Sequence, residues 1–247
     1  MNPDNPFGAW SLAPDVQDRI RVGLLAIEPL ATSGAANEAR TRCRRDADLN
    51  ALRERWAGRT PGSIEACRPA RALYRSFGID PTKIRPSSEA LLRRVLKGAP
   101  FPEVFPAVDW GNLVAVVHQR PLGLYDRDAI SEPCVVREGA PGEAYEGIRK
   151  GSIRVEGRPV LADVAGPFGN PTSDSSRTAV GPATRRVVMA ILEPADTPTA
   201  AMATRLIDAW DRAREGLTFD GDHSASAACL VGAQRVPVDL GLRAVSG

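Results

Sequence analysis

The chain has 247 residues, 43% of them hydrophobic, enough to bury a substantial core in one large domain or two small ones. Its formal charge of +2 excludes the strongly basic class in which attraction from the whole molecule carries nucleic-acid binding, so any contact with RNA must be local. The four cysteines, Cys43, Cys67, Cys134 and Cys229, form no Cys-x-x-Cys pair, which excludes a zinc knuckle or dithiol redox motif and fits a reducing compartment.

No repeat, low-complexity tract or sharp shift in composition divides the chain, which predicts one domain over residues 1–247. Residues 20–27 are almost wholly apolar and read as a buried strand bounded by Pro29 and Gly34. Residues 36–56 are helical in pattern, with Leu49, Leu52 and Trp56 spaced by three and four. Their polar face carries Arg40, Arg42, Arg44 and Arg45. It reads as a solvated face paired with Glu38, Asp46, Asp48 and Glu54 in preference to a phosphate-binding stripe. The only lysines are Lys83, Lys97 and Lys150. The rest of the positive charge is arginine, whose planar fork suits phosphate and carboxylate, and for any single arginine an ordinary ion pair is the favoured reading.

Residues 64–77 form a second expected helix, with Cys67, Leu73 and Phe77 apolar, Pro69 in its first turn or kinking it, and Gly78 as its stop. A third follows Pro86, with Ser87 and Ser88 as caps and a stripe of Ala90, Leu91, Leu92, Val95 and Leu96 before Gly98. Its surface is basic. A fourth spans 109–118, after which Pro121 and Gly123 predict a loop ending near Asp126. Beyond Ser131 the pattern changes to short β-rich runs at 134–137, 152–155, 160–164 and 187–192. Residues 199–214, with Met202, Leu206, Ile207 and Trp210 on one face, predict a helix that closes over the sheet. The last thirty residues, rich in Ala, Gly and Val, carry no assignable pattern. No stretch approaches the ~18–20 apolar residues of a membrane helix, and the start lacks a basic region followed by an apolar run. The expectation is a cytoplasmic protein, neither exported nor embedded.

Four blocks carry a resemblance. The first is residues 71–94, including Leu73-Tyr74-Arg75-Ser76-Phe77-Gly78 and Lys83-Ile84-Arg85-Pro86-Ser87-Ser88-Glu89. The others are Val108-Asp109-Trp110-Gly111-Asn112, then Pro121-Leu122-Gly123-Leu124-Tyr125-Asp126, then Gly169-Asn170-Pro171-Thr172-Ser173-Asp174-Ser175-Ser176-Arg177-Thr178. In this order they resemble freestanding proteins built on the editing (B-three/four) domain of the phenylalanyl-tRNA synthetase beta subunit. The resemblance covers about residues 65–195, a domain's length and not a short motif. It implies an α+β fold, a mixed β-sheet with flanking helices around a cleft. It also implies hydrolysis in trans of an amino acid wrongly esterified to tRNA. The partners would be aminoacyl-tRNA, held transiently, and the amino acid, with no membrane and no DNA. Asn112 matches the family's pocket Asn at a helix start, and Asp126 matches the Asp of its Pro-x-x-Ala-aromatic-Asp run. The family's His falls on Gly123, so a group credited with positioning the tRNA terminus or the water has no counterpart.

The residues themselves are consistent with that chemistry. An aminoacyl ester is already activated, so a site need only position a water and stabilise a developing oxyanion. No nucleophile is required. Only two histidines exist, His118 and His223, with no Gly-x-Ser-x-Gly elbow, no His-x-x-x-His or Cys/His cluster and no phosphate-cradling Gly loop. Neither a metal nor a cofactor is expected.

The loop 169–178 could present amides and hydroxyls to a ligand, or equally be a tight turn bonded to its own backbone; the resemblance favours a functional role. Asn112 and Asp174 are then the catalytic candidates. Asp174 would orient water or take the ammonium group, and Asn112 would bond the terminal ribose or the ester carbonyl. Arg177 would hold Asp174, with Ser173 and Thr178 beside the substrate. A second polar concentration holds Tyr74, Arg75, Lys83, Arg85, Ser87 and Glu89. A helix start beside Lys83 and Arg85 offers an anion site for a terminal phosphate or a carboxyl oxygen, against the plainer reading of capping and a Glu89–Arg93 pair. Asp126 is either pocket wall or turn cap. Arg75, Lys83, Arg85, Asp126, Ser173, Arg177 and Thr178 are thus the candidate substrate-binding set. The runner-up function is a non-catalytic module that keeps the cleft and binds an amino acid or aminoacyl group without turnover. Both readings need Asn112 and Asp174 to share one hollow.

Overall fold

The computed structural model describes residues 9–31, 35–149 and 151–240, with the backbone alone for 35–41. The apolar run at 20–27 lies within strand β2, so the elements are β1 (Trp10–Leu12), β2 (Ile20–Leu30), α1 (Ala35–Arg55), α2 (Arg68–Ser76), α3 (Ser87–Leu96) and α4 (Pro106–His118) in the first half. The second half holds β3 (Leu122–Asp126), β4 (Cys134–Glu138), β5 (Ala144–Gly147), β6 (Gly151–Arg154), β7 (Pro159–Asp163), β8 (Gly166–Gly169), β9 (Val187–Pro194), α5 (Thr199–Gly216), β10 (Phe219–Val231) and β11 (Gln234–Val238).

β2 is apolar at nearly every position, Arg21 and Glu28 excepted, because it is the centre of a five-stranded sheet covered on both faces. The strand order is β11-β10-β2-β9-β3, every pair antiparallel. Alternate residues point to opposite faces. Val22 and Leu24 of β2, with Val188 and Ala190 of β9, enter a core shared with the second sheet through Trp10, Val136, Leu161 and Phe168. Leu25 and Ile27, with Met189 and Ile191, enter a core roofed by Trp110 and Val114 of α4 and Met202, Leu206 and Trp210 of α5. α5 therefore closes over the sheet, although Ile207 is only half-buried and the stripe runs instead through Ala209 and Ala213. Leu206 packs closely over Gly23, where a Cβ would lie 3.2 Å from its Cδ2. The second sheet, β1-β4-β7-β8, is the mixed one, with β1 parallel to β4 and the remaining pairs antiparallel. A third core joins α1, α3 and α4 through Leu49, Leu52, Trp56, Leu92, Val95 and Leu113. The fold is α+β, with mixed and antiparallel sheets and flanking helices.

Several expectations are corrected. The 64–77 helix begins only at Arg68, after two short 3-10 turns; Pro69 sits in its first turn, where a missing N–H costs nothing, and does not kink it. Ser87 and Ser88 do not cap α3: its N-cap is Pro86, and both hydroxyls are buried with no hydrogen-bond partner. α4 starts at Pro106, three residues before the expected start, and stops because Gln119 turns left-handed (φ 55°). That buried residue bonds the Val116 carbonyl with its own amide and accepts from Cys67 Sγ at 3.2 Å.

The predicted loop at 121–126 is strand β3, paired with β9 from Leu122↔Ile191 to Asp126↔Val187. The last thirty residues, as far as 240, supply β10 and β11, and β10 pairs with β2. On α1, Arg44 pairs with Asp48 at 3.2 Å as expected but also reaches Glu215, and Arg45 pairs with Asp46 and with Glu103. Gly34, Lys150 and the Glu38 and Arg40 side chains lie outside the described residues. No described helix is long and apolar enough to cross a membrane.

Candidate functional site

A cavity of about 260 Å³ opens between α4, β3, the β5–β6 turn and the chain after β8. α4 and the residues before it contribute Phe105, Val108 and Asn112; β3 contributes Leu122 and Leu124. Ile148 and Arg149 come from the turn, and Asp174 and Val180 from the polar segment. Asn112 and Asp174 thus line the same hollow. Its walls are apolar, and its polar groups are few and of both signs, as in small-molecule sites generally.

The loop that carries Asp174 is built rigidly, and sequence reasoning missed how. Asn170, 2% exposed, accepts with Oδ1 from the backbone N–H of Thr172 (2.7 Å) and Ser173 (3.0 Å), an Asx turn. All three tyrosines of the chain then converge on it from three different elements. Tyr74 of α2 donates to the Pro171 carbonyl at 2.8 Å and lies 2.9 Å from Thr172 Oγ1. Tyr145 of β5 accepts from Asn170 Nδ2 at 2.7 Å and donates to the Ser173 carbonyl. Tyr125 of β3 donates to Asp174 Oδ1 at 2.8 Å.

Burial pushes all three phenols up, and for Tyr125 and Tyr145 the charge of Asp174 pushes the same way. They stay neutral donors. Tyr125 reaches Asp174 between two glycines: a Cβ on Gly123 would fall 1.8 Å from its Oη, and one on Gly169 2.1 Å. Such approaches require glycine at both positions. On the far side of Asp174, its carbonyl accepts from Ile148 N at 3.2 Å, which fixes the turn that carries Arg149. Arg149 itself has φ 58°.

The other candidates lie off the cavity lining. Arg177 does not hold Asp174. Its fork grips Asp163 of β7 at 3.0 and 2.8 Å, because that buried carboxylate, fourteen residues back, lies beside the 3-10 turn on which Arg177 sits. Burial would raise the Asp163 carboxyl, but hydrogen bonds from Arg177, Ser131 N and Ala165 N hold it below the ordinary range. Asp126 is a cap: it accepts from Asp128 N at 3.0 Å and Thr184 Oγ1 at 2.6 Å. Ser173 belongs to the Asx turn, and Thr178 is fully buried with no hydrogen-bond partner for its hydroxyl. Arg75 and Lys83 are exposed, and Arg85 approaches Glu89 at 3.5 Å. Glu89 is buried and pairs with Arg71 at 2.6 and 2.7 Å, not with Arg93. Neither histidine lines the cavity: His118 Nε2 lies 2.9 Å from Asp208, and His223 stacks on Phe219 at 4.4 Å. Among the described residues no group of three His, Cys, Asp or Glu could hold a metal.

Comparison with known proteins adds a family. The model of the B3/4 domain matches residues 69–209, which contain all four blocks. Comparison with curated proteins gives no match. Among solved structures, an N-terminal fragment of the phenylalanyl-tRNA synthetase beta subunit from Pyrococcus horikoshii is similar at 12% identity and a TM-score of 0.45. The similarity covers 88% of this chain and 53% of that one, so the chain spans about half the length of that fragment.

Proposed function

The chain belongs to the B3/4 domain family, and from that premise we propose that it is an aminoacyl-tRNA deacylase acting in trans on mischarged tRNA. The observation that carries this reading is that Asn112, from a helix, and Asp174, from a loop fixed by three tyrosines, open onto one mostly apolar hollow. The side chain of the esterified amino acid lies against Val108, Leu122 and Leu124. The Asp174 carboxylate takes the ammonium group or orients the attacking water, and the Asn112 amide bonds the terminal ribose or the ester carbonyl. Water adds to the carbonyl carbon, the bond to the ribose oxygen breaks, and the proton lost by the water ends on that oxygen. The carboxyl group leaves with the amino acid. One preorganised donor in such a site is worth about 10²–10³ in rate, and the activated ester needs no protein nucleophile. The Tyr125 hydroxyl fills the space that a side chain on residue 123 would need, so the donor next to Asp174 is the phenol of Tyr125.

One observation favours a second reading. Arg149 and Asp174 line the same cavity, and a cation and a carboxylate together match the two charges of a free amino acid, whose carboxylate an ester lacks. The alternative is therefore an amino-acid-binding module without turnover. The two separate on one experiment, incubation with a panel of charged tRNAs and assay of released amino acid. Release supports hydrolysis; saturable binding of free amino acid with no release from any tRNA supports the module.

A further inference from the structure

The charge of this nearly neutral chain is segregated. Of its 32 Lys and Arg and 30 Asp and Glu, residues 53–97 hold eleven and four, a net of +7, which leaves 21 against 26 elsewhere. Ion pairing runs the other way. Outside this segment twelve arginines pair with carboxylates among the described residues, for example Arg19, Arg120, Arg137 and Arg212. Inside it, among the described residues, only Arg68, Arg71 and Arg85 do. Ordinary ion pairing, the usual use of surface arginine, thus takes up at least twelve of the 21 cations elsewhere but three of the eleven here. Four of the cations left over lie together: Arg93, Arg94 and Lys97 are exposed in and just after the last turn of α3, Arg94 donating to the Pro100 carbonyl, and Arg53 donates to the Val95 carbonyl at 3.1 Å, which sets the end of α1 beside them. A cluster of like charges that the fold does not neutralise costs self-repulsion and attracts a polyanion.

A second observation connects this cluster to the site. A hollow of about 380 Å³ lined by Arg53, Gly98 and Pro100 shares Arg45 and Glu103 with a neighbour of about 210 Å³. That neighbour shares Val104 and Phe105 with the Asn112–Asp174 cavity. A line of depressions therefore runs from the basic helices to the proposed ester site.

We infer that the face formed by the ends of α1 and α3 docks the phosphate backbone of an RNA stem, whose single-stranded 3′ end follows this line into the cavity. The identity of the RNA rests on the deacylase reading above. The test is anisotropy binding of uncharged tRNA across a salt series to the wild type, Arg93→Gln/Lys97→Gln and Arg93→Glu/Lys97→Glu, with hydrolysis of a 3′-aminoacyl-adenosine, which lacks the stem, in parallel. We expect Kd to rise about tenfold or more in the glutamine pair and further in the glutamate pair. The slope of log K against log salt should fall by about 2, one per lost phosphate contact, with the small ester hydrolysed at the wild-type rate. The milder pair, its Tm checked, guards against misfolding.

Unchanged Kd and slope, no tRNA binding by the wild type, or charge-dependent binding to anionic lipid vesicles in its place would overturn the inference. If the small ester is not hydrolysed but tRNA binding falls as expected, the surface stands and the deacylase reading fails. The converse result leaves the deacylase and removes the surface.

Discussion

The hydroxyl of Tyr125 donates to Asp174 Oδ1 at 2.8 Å, reaching it between Gly123 and Gly169, where any side chain would collide with the phenol. A strand residue thereby fixes a loop carboxylate 49 positions away at the edge of the cavity. The proposed chemistry depends on that fixation, because a carboxylate that swings freely neither holds an ammonium group nor aims a water.

Tyr125→Phe keeps the ring and removes only this bond. Loss of a buried hydrogen bond to a charged acceptor costs about 1.5–3 kcal/mol, so urea unfolding should show a midpoint lowered accordingly with the slope unchanged. Deacylation should fall more steeply than stability, because the carboxylate is still present but no longer aimed. An unchanged midpoint would show that the bond contributes nothing in solution.

Gly123→Ala should destabilise by about 1–3 kcal/mol, the usual cost of forcing extra volume into a packed core. The cause is specific: the new Cβ meets Tyr125, 1.8 Å from Oη. In a Tyr125→Leu background the same change should cost clearly less, a coupling that a double-mutant cycle measures directly. Equal costs in both backgrounds would mean that the clash is relieved elsewhere.

Arg177→Ala should act on stability and not on the ester. Removing Arg177 leaves the buried Asp163 carboxylate with only the backbone N–H groups of Ser131 and Ala165 and no countercharge, a loss of about 2–3 kcal/mol once the partial exposure of Arg177 is allowed for. The pH dependence follows from the direction of the Asp163 shift. Its carboxyl is held below the ordinary range, so the folded state binds that proton less readily than the unfolded chain. The stabilisation is complete above the unfolded carboxylate pKa of about 3.9 and is lost as pH falls through the lower, folded value. The gap between wild type and variant in urea unfolding should therefore be wide at pH 7 and narrow as pH falls below about 4.

Thiol labelling checks the fold independently. Cys67, Cys134 and Cys229 are buried, and burial pushes their thiols up to about 12, 12 and 11, while Cys43 is exposed. The thiolate is the reactive form, so an aromatic disulfide reagent at pH 8 should modify one thiol quickly in the native protein and four after denaturation. Two or more fast thiols would contradict the packing around Cys67 before α2, Cys134 of β4 or Cys229 of β10.

Much of this was legible in the residues, for reasons that differ along the chain. β2 is legible because a strand covered on both faces is apolar at nearly every position, Arg21 and Glu28 excepted, and α3 because its stripe and its Gly98 stop are local. Pro121 and Gly123 predict a loop where β3 forms because both are breakers in isolation; Gly123 is there for the phenol two residues on, a reason that depends on the ring lying over it. β10 was missed because only its later residues, from Ala225, are buried, so its first half shows no alternation. The polar loop stood out as a concentration of Asn, Ser, Thr and Asp, and Asn112 came from family resemblance. The partner of Arg177, the converging tyrosines and the cavity's apolar walls depend on segments brought together from far apart, which spacing does not encode.

The central claim is tested most directly by single-turnover deacylation of mischarged tRNA by the wild type, Asn112→Ala and Asp174→Ala, each first checked for a native Tm. The account predicts release from at least one mischarged tRNA by the wild type and a loss of about 100-fold or more in each variant. Release that survives both substitutions, or no release from any charged tRNA by the wild type, would contradict it.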